Sequence, residues 1–328
     1  MKNTYEQITL EERDKIAILG AKGLSIREVA KQLGRSHSSI SRELKRNGAS
    51  INTNYYLPSK AQERCLKRRS ESRLLPKLKT SAIREYVEEK LKLGWSPEQI
   101  SGRLRIDRSG QKISHEAIYQ YIYAEAIHLV GYLTRRHRNR YPKKYSRKHQ
   151  SSHIPNRTAI ELRSDAADQR KRYGHWEADT VESSRTDRAA LNVLVERKSR
   201  FTLITKMKNK TALETKKSII SKLKPLPDKI TKSITYDNGC ENTLHEKINK
   251  VLNSKSYFCN PYHSWEKGAV ENTNGLIRRF IPKGYDITTI QKRFIKKIET
   301  RLNNRPRKCL GFRTPAEILK NFSGALGC

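Results

Sequence analysis

Between residues 9 and 47 apolar positions recur with a helical period in three short bursts. The first carries Ile16 and Leu19 with Ala17 beside them, the second Ile26, Val29, Ala30 and Leu33, the third Ile40 and Leu44. Thr9-Leu10-Glu11-Glu12 and Ser25-Ile26-Arg27-Glu28 are capping boxes, in which a hydroxyl and a glutamate each satisfy a backbone N–H at a helix start. Gly20 and Gly23 close the first helix, Gly34 makes the next turn, and Ser36 caps the segment HSSISRELKRN. Only Ile40 and Leu44 of that last helix face inward, so Ser38, Ser39, Ser41, Arg42 and Lys45 point outward. Short hydrogen-bonding side chains beside Arg and Lys on an exposed helix after a tight turn suit a helix-turn-helix entering a major groove. A second helical pair is predicted from Ser96-Pro97-Glu98-Gln99, with Ile100 and Leu104, and from Ser114, with Ile118, Tyr121 and Ile122. It fits either a second DNA reader, through His115, Tyr119 and Gln120, or a structural hairpin. Residues 55–93 read as helical and connecting.

From residue 174 the period changes. GHWEADTVE, ALNVLVE and FTLITKM are β-rich and separated by turn-like segments, which predicts an antiparallel meander. The helix TALETKKSIISKL follows, broken by Pro225 and Pro227, then a strand KSITYD and the turn Asn238-Gly239. A helix from about Glu241 to Leu252, a short strand SYFCN and a long helix from near Ser264 complete the pattern. The order βββαβαβα with mixed strand directions is that of an RNase H-like fold. The expected fold class is therefore mixed: N-terminal all-α helix-turn-helix DNA-binding regions, then an RNase H-like α/β catalytic domain with a mixed five-stranded sheet and helices. The expected domains are 1–50 (helix-turn-helix), 51–130 (second helical domain), 131–170 (basic linker) and 171–328 (catalytic).

Charge narrows the partners. The 328 residues hold 69 Lys and Arg against 33 Asp and Glu, a formal net charge of +36 spread over both halves of the chain. Nucleic acid or an anionic membrane answers such a charge. No run approaches a membrane span, no amphipathic anchor stands out, and MKNTYEQITLEERDK does not read as a signal peptide. DNA is the expected partner and no membrane is. Five scattered cysteines without a CxxC pair argue against a disulfide framework or zinc ribbon, and for a reducing cytoplasm. The densest stretch, RRHRNRYPKKYSRK, holds no acid; Arg135, Arg136, Lys143 and Lys144 within it are expected to track phosphates.

Three acids stand at informative places. Asp179 lies mid-strand where an interior residue is normally apolar, and Asp237 ends the strand KSITY at the sheet's C-terminal edge. Glu271 sits on the last helix, opposite an apolar stripe of Trp265, Ala269, Leu276 and Phe280. Its own face carries Ser264, Lys267, Gly268, Asn274, Gly275 and Arg278, polar, basic and relieved by glycine for the approach of a phosphate backbone. Three carboxylates so placed can hold two divalent cations about 3.5–4 Å apart. Mg²⁺ is the expected ion, with Mn²⁺ as a substitute, because a hard ion takes few carboxylates plus phosphate oxygens. Glu177 shares a strand face with Asp179 and either leans toward a metal or pairs with a nearby base. Trp176 and Trp265 read as core or hinge anchors. Arg278, Arg279 and Lys283, one or two turns beyond Glu271, are expected to contact DNA.

On ITLEERDKI, SISRELKRN, WSPEQI, ISHEAIYQYIY, GHWEADTVE, LVERKSRFTLI, TYDNG, PYHSWEKGAVENTNGLIRRFIPKG and LNNRPRKCLGFRTPAEIL, the chain resembles DDE transposases of the insertion sequence 30 family over nearly its whole length. The family's two aspartates and glutamate match Asp179, Asp237 and Glu271, with 33 residues between the last two. Ala178, Cys240 and Asn242 depart from the family's GHWEGD and DNGKEF. The resemblance implies recognition of terminal inverted repeats by the N-terminal helices, hydrolysis at the element's ends, and joining of a freed 3′-OH to target DNA. A bacterial protein of the cytoplasm and nucleoid is expected, as a homodimer or higher assembly on DNA, since two ends must be brought together. Two other functions fit the residues: a catalytically silent DNA-binding regulator, and an RNase H-like nuclease without strand transfer.

Overall fold

Both N-terminal capping boxes form. The Thr9 hydroxyl accepts from the Glu12 N–H while the Glu12 carboxylate accepts from the Thr9 N–H, opening α1 (Leu10–Ala21). Ser25 and Glu28 do the same for α2 (Ile26–Gln32), and the Ser36 hydroxyl accepts from the Ser39 N–H at the start of α3 (His37–Asn47). The computed structural model describes residues 7–47, 56–74, 77–78, 80–133, 154–183, 189–261 and 263–322. It divides into two compact units, Met1–Lys77 and Leu78–Cys328.

In the first unit Ile16, Val29, Ala30, Ile40 and Leu44 form the core, closed by Tyr56 and by Ala61 of α4 (Pro58–Leu74). A buried ion pair staples it: Arg13 Nε donates to Glu43 Oε1 at 2.7 Å, and the Tyr56 hydroxyl donates to the same oxygen at 2.9 Å. Burial, and then the Glu43 charge, push the Tyr56 phenol well above its ordinary range.

The second unit begins with a helical cluster of α5 (Ser81–Lys92), α6 (Pro97–Asp107) and α7 (His115–Ala124), packed through Val87, Leu91, Ile100, Leu104, Ile118 and Ile122. The short helix α8 (Asp165–Asp168) precedes a five-stranded sheet of β1 (His175–Glu182), β2 (Ala190–Glu196), β3 (Thr202–Met207), β4 (Ser233–Tyr236) and β5 (Lys255–Phe258). Its order is β3-β2-β1-β4-β5. β1, β2 and β3 run antiparallel in sequence, β4 runs parallel to β1, and β5 parallel to β4. This is the expected mixed sheet, and its order and strand directions are those of the RNase H-like fold.

Strand alternation divides the core into two layers. Trp176, Ala178, Leu194, Ile234 and Tyr236 face α9 (Ala212–Leu223), α10 (His245–Leu252) and α13 (Pro315–Lys320). Val181, Leu191, Val193 and Val195 face α11 (Gly268–Ile277) and α12 (Lys292–Asn303). Glu177 and Asp179 therefore lie on the α11 side.

Several expectations change. The helix expected from Glu241 begins at His245, after a single 3₁₀ turn at Cys240–Asn242. The Asn242 side chain is drawn back to the Asp237 backbone and carboxylate, which holds the intervening chain out of the helix. The helix expected from Ser264 opens as a 3₁₀ turn and becomes α-helical at Gly268. Trp265 is no anchor: it is 69% exposed and stacks on His263 with ring centroids 4.3 Å apart. The tether expected over 131–170 ends earlier, because Ile154 joins the sheet core and Ala159 bridges Phe258 at the β5 edge. Helices α12 and α13 extend the pattern beyond the last predicted element.

The helical cluster docks on the C-terminal segment through Gln99, the capping residue of α6. Its amide donates to the Pro306 carbonyl and its oxygen accepts from Arg305 Nε. Arg103 forms a two-pronged pair with Glu317 at 2.6 and 2.7 Å. Among the described residues no helix is long and apolar enough to cross a membrane.

Candidate active site

Asp179 and Asp237 reach one point from neighbouring parallel strands. β1 carries Asp179 mid-strand, and Asp237 follows β4 directly, at the C-terminal edge the sequence predicted. Between them sits the ammonium of Lys267, a side chain only 6% exposed. Its Nζ donates to Asp179 Oδ1 at 2.9 Å, contacts Asp237 Oδ2 at 3.2 Å and donates to the Ala178 carbonyl at 3.2 Å. Three acceptors saturate the three donors of an ammonium. Burial works against that charge, but Asp237 and Asp179 outweigh it and raise the Lys267 pKa above its ordinary value. Burial likewise pushes the Asp237 carboxyl up, and Lys267 with the Gly239 N–H outweighs it, leaving the pKa below the usual range.

The other oxygen of each aspartate is also engaged. Asn242 Nδ2 donates to Asp237 Oδ1 at 2.8 Å and the Gly239 N–H to the same oxygen at 3.2 Å. Asn274 Nδ2 donates to Asp179 Oδ2, while the Asn274 Oδ1 is buried and unpartnered.

Lys267 is the N-cap of α11, and Glu271 and Asn274 follow it on the helix. The first and last of these both bond Asp179, and Glu271 between them is exposed. α11 itself is fixed by Glu177, which is fully buried. Its Oε2 accepts the N–H groups of Ala269 and Val270 at 3.0 and 2.9 Å, two orphan donors of the first helical turn. Its Oε1 accepts from Arg197 Nη1 at 3.0 Å. Of the two roles open to Glu177, the structure has the ion pair, with a clamp on α11 added.

The oxygens around Lys267 Nζ form the donor set a hard divalent ion takes, two carboxylates and a carbonyl converging on one cation position. In this structure the Lys267 ammonium occupies that position. Among the described residues, no three carboxylate, imidazole or thiolate side chains are grouped closely enough to hold a metal by themselves. The histidines near these motifs do other work. His175 Nδ1 lies 2.7 Å from Ser233 Oγ, and burial, then Lys232 and Arg197, hold its pKa down to about 4. His245 Nε2 donates to the Pro155 carbonyl, and its ring meets Phe258 edge-on.

The residues expected to meet DNA fall in three settings. On α3, Ser38, Arg42 and Lys45 are exposed and Ser39 half-buried, with Arg42 Nε donating to the Ser38 carbonyl at 3.1 Å. Arg135, Arg136, Lys143 and Lys144 lie outside the described residues. Beyond α11, Arg278 Nη2 donates to the Glu182 carbonyl, and Arg279 donates to the carbonyls of Gly94 and Tyr132 in the helical cluster. Lys283 is exposed. Sequence reasoning missed Lys267 and Asn274 as partners of Asp179 and Asn242 as partner of Asp237. The i, i+4, i+7 spacing around Glu271 was the signal for the first two.

Comparison with known proteins places the chain in a family. Residues 4–47 match a family described as a helix-turn-helix domain. The chain is 38% identical to the transposase InsI for insertion sequence element IS30A of Escherichia coli (strain K12), over 97% of this chain and 85% of that protein. It is 37% identical to the transposase for insertion sequence element IS4351 of Bacteroides fragilis, over 97% and 96% of the two chains. The HTLV-2 integrase catalytic core domain in complex with magnesium is similar over 45% of this chain and 96% of that one, with 20% identity and a TM-score of 0.35. With more than a third of its residues shared with such relatives across nearly its full length, the chain belongs to the IS30 family of transposases.

Proposed function

We propose that this transposase binds the terminal inverted repeats of an insertion sequence and catalyses Mg²⁺-dependent end cleavage and strand transfer by a DDE two-metal mechanism. The observation that supports the reading is the convergence of Asp179 and Asp237 on the buried ammonium of Lys267, four residues before Glu271. Two Mg²⁺ ions, or Mn²⁺ in their place, would supply a nucleophilic oxygen and stabilise the leaving 3′-oxygen. Asp179, Asp237 and Glu271 would hold them. Asn274 and Asn242 orient the two aspartates, and Glu177 sets where α11 begins.

Ser38, Ser39, Arg42 and Lys45 read the repeats from the outward face of α3, in double-stranded DNA. Arg135, Arg136, Lys143, Lys144, Arg278, Arg279 and Lys283 supply phosphate contacts. A homodimer or larger assembly on DNA, in the bacterial cytoplasm and nucleoid, follows from the need to hold two ends at once.

The test is a cleavage and strand-transfer assay on DNA carrying the element's own ends, comparing wild type with Asp179→Asn, Asp237→Asn and Glu271→Gln. Each variant should lose both reactions while end binding survives. A wild type that binds ends but neither cuts nor joins with any divalent ion supports the regulator instead. Cutting without joining supports the nuclease.

A further inference from the structure

We propose that Lys267 is the resident counter-cation of the Asp179–Asp237 pair, that it yields its place to the incoming divalent ion, and that this exchange sets the metal affinity of the site. The inference rests on the metal-binding reading of these aspartates. Two carboxylates brought to one buried point repel each other unless a cation stands between them, and the Lys267 ammonium does so at 2.9 and 3.2 Å. It takes the Ala178 carbonyl as its third acceptor, so all three of its donors are engaged by these oxygens.

A divalent ion using those oxygens and an ammonium in van der Waals contact with them cannot coexist. Binding therefore expels the Lys267 head group. The long lysine stem lets the head swing while the backbone stays put, and the stem begins at the N-cap of α11, where Glu177 anchors the next turn. The device keeps the metal-free protein folded with its aspartates already aligned, and it weakens binding of an ion in the absence of DNA. Phosphate oxygens arriving with the substrate supply further ligands to the ion and an anionic partner for the displaced ammonium.

The experiment measures Mn²⁺ affinity of the full chain without DNA, by the loss of the free-ion paramagnetic resonance signal, for wild type, Lys267→Met, Lys267→Arg and Asp179→Asn. Lys267→Met should bind Mn²⁺ at least tenfold more tightly than wild type, and Lys267→Arg should stay near wild type. If Asp179→Asn weakens binding but Lys267→Met does not strengthen it, the counter-cation proposal fails and the metal reading stands. If Asp179→Asn leaves binding unchanged, the metal reading fails and takes the proposal with it.

A second measurement needs no variant. Reductive methylation of wild type, read peptide by peptide by mass spectrometry, should modify Lys267 slowly without metal and at least fivefold faster with saturating Mg²⁺. Equal rates would overturn the exchange even if Lys267→Met fails to fold.

Discussion

Glu177→Gln isolates the clamp on α11 from the chemistry next to it. The wild-type carboxylate is fully buried against a guanidinium that is itself 5% exposed, and it also accepts two backbone N–H groups. A glutamine oxygen can still serve Ala269 and Val270, but its NH₂ then faces Arg197, donor against donor. Arg197 is left with the Ala167 carbonyl at 3.1 Å and Asp168 at 3.6 Å. Stranding one partner of a buried ion pair costs about 3–5 kcal/mol. The residual Asp168 contact places this case near the lower bound, about 3 kcal/mol, or a fall of roughly 6–12 °C in the melting of a unit of this size. Denaturant unfolding in EDTA, followed by the fluorescence of the fully buried Trp176 on the same strand, reads the change. Glu177→Gln/Arg197→Met removes the stranded charge and should recover at least half of the loss. If the metal-free single variant unfolds within about 0.5 kcal/mol of wild type, or if the second substitution restores nothing, Glu177 is not the clamp. A loss confined to Mn²⁺ affinity would make it a metal ligand instead.

Two further outcomes follow from the packing around the sheet. His175 is held neutral by burial, with a pKa of about 4 against 6.5 for the free side chain. Above pH 6.5 neither state is protonated and the stability is complete; as pH falls toward 4 the unfolded chain gains a proton that the folded one refuses, and up to about 3 kcal/mol is lost. The difference in unfolding free energy between wild type and His175→Gln should therefore change across that window, and a pH-independent difference would refute the assignment. Gly102 on α6 lies under the Phe312 ring, where an added Cβ would come within 2.4 Å of the ring carbons. Gly102→Ala should cost about 1–3 kcal/mol by overpacking, with part regained in Gly102→Ala/Phe312→Ala; a melt unchanged from wild type would show that α6 does not dock there.

Much of this was legible because local chemistry and final packing agree. Thr9 with Glu12 and Ser25 with Glu28 announce helix starts that need no tertiary partner, and the alternation in GHWEADTVE already separates Trp176 and Ala178 from Glu177 and Asp179. What escaped depends on side-chain captures and irregular turns that helix and strand periodicity does not encode. Asn242 reads as helical until Asp237 captures its amide. Trp265 continues an apolar stripe by count, yet the 3₁₀ turn before Gly268 shifts its phase and leaves it in solvent. Arg279, about two turns past Glu271, also meets the carbonyls of Gly94 and Tyr132, 185 and 147 residues earlier, contacts that no local pattern announces. The segment KRFIKKIETRLN carries Ile295, Ile298 and Leu302 at helical spacing, so α12 was readable, although its basic face resembles a solvated tail.

The same strand face sets both halves of the site. Glu177 and Asp179 are two residues apart on β1, hence about 7 Å along the strand and on the same side of the sheet. The first grips the N–H groups of Ala269 and Val270; the second is held by Lys267 and Asn274 on either side of Glu271. α11 is thus tied to β1 at its first turn and again at its middle, with a rise of only about 1.5 Å per residue between the ties. Little freedom remains for Glu271, the residue directly after the clamped turn, to slide along the strand. Rotation of the exposed Glu271 side chain and withdrawal of the Lys267 ammonium are the movements left, and both are side-chain movements. The backbone of the proposed metal site is thus in place before any ion arrives.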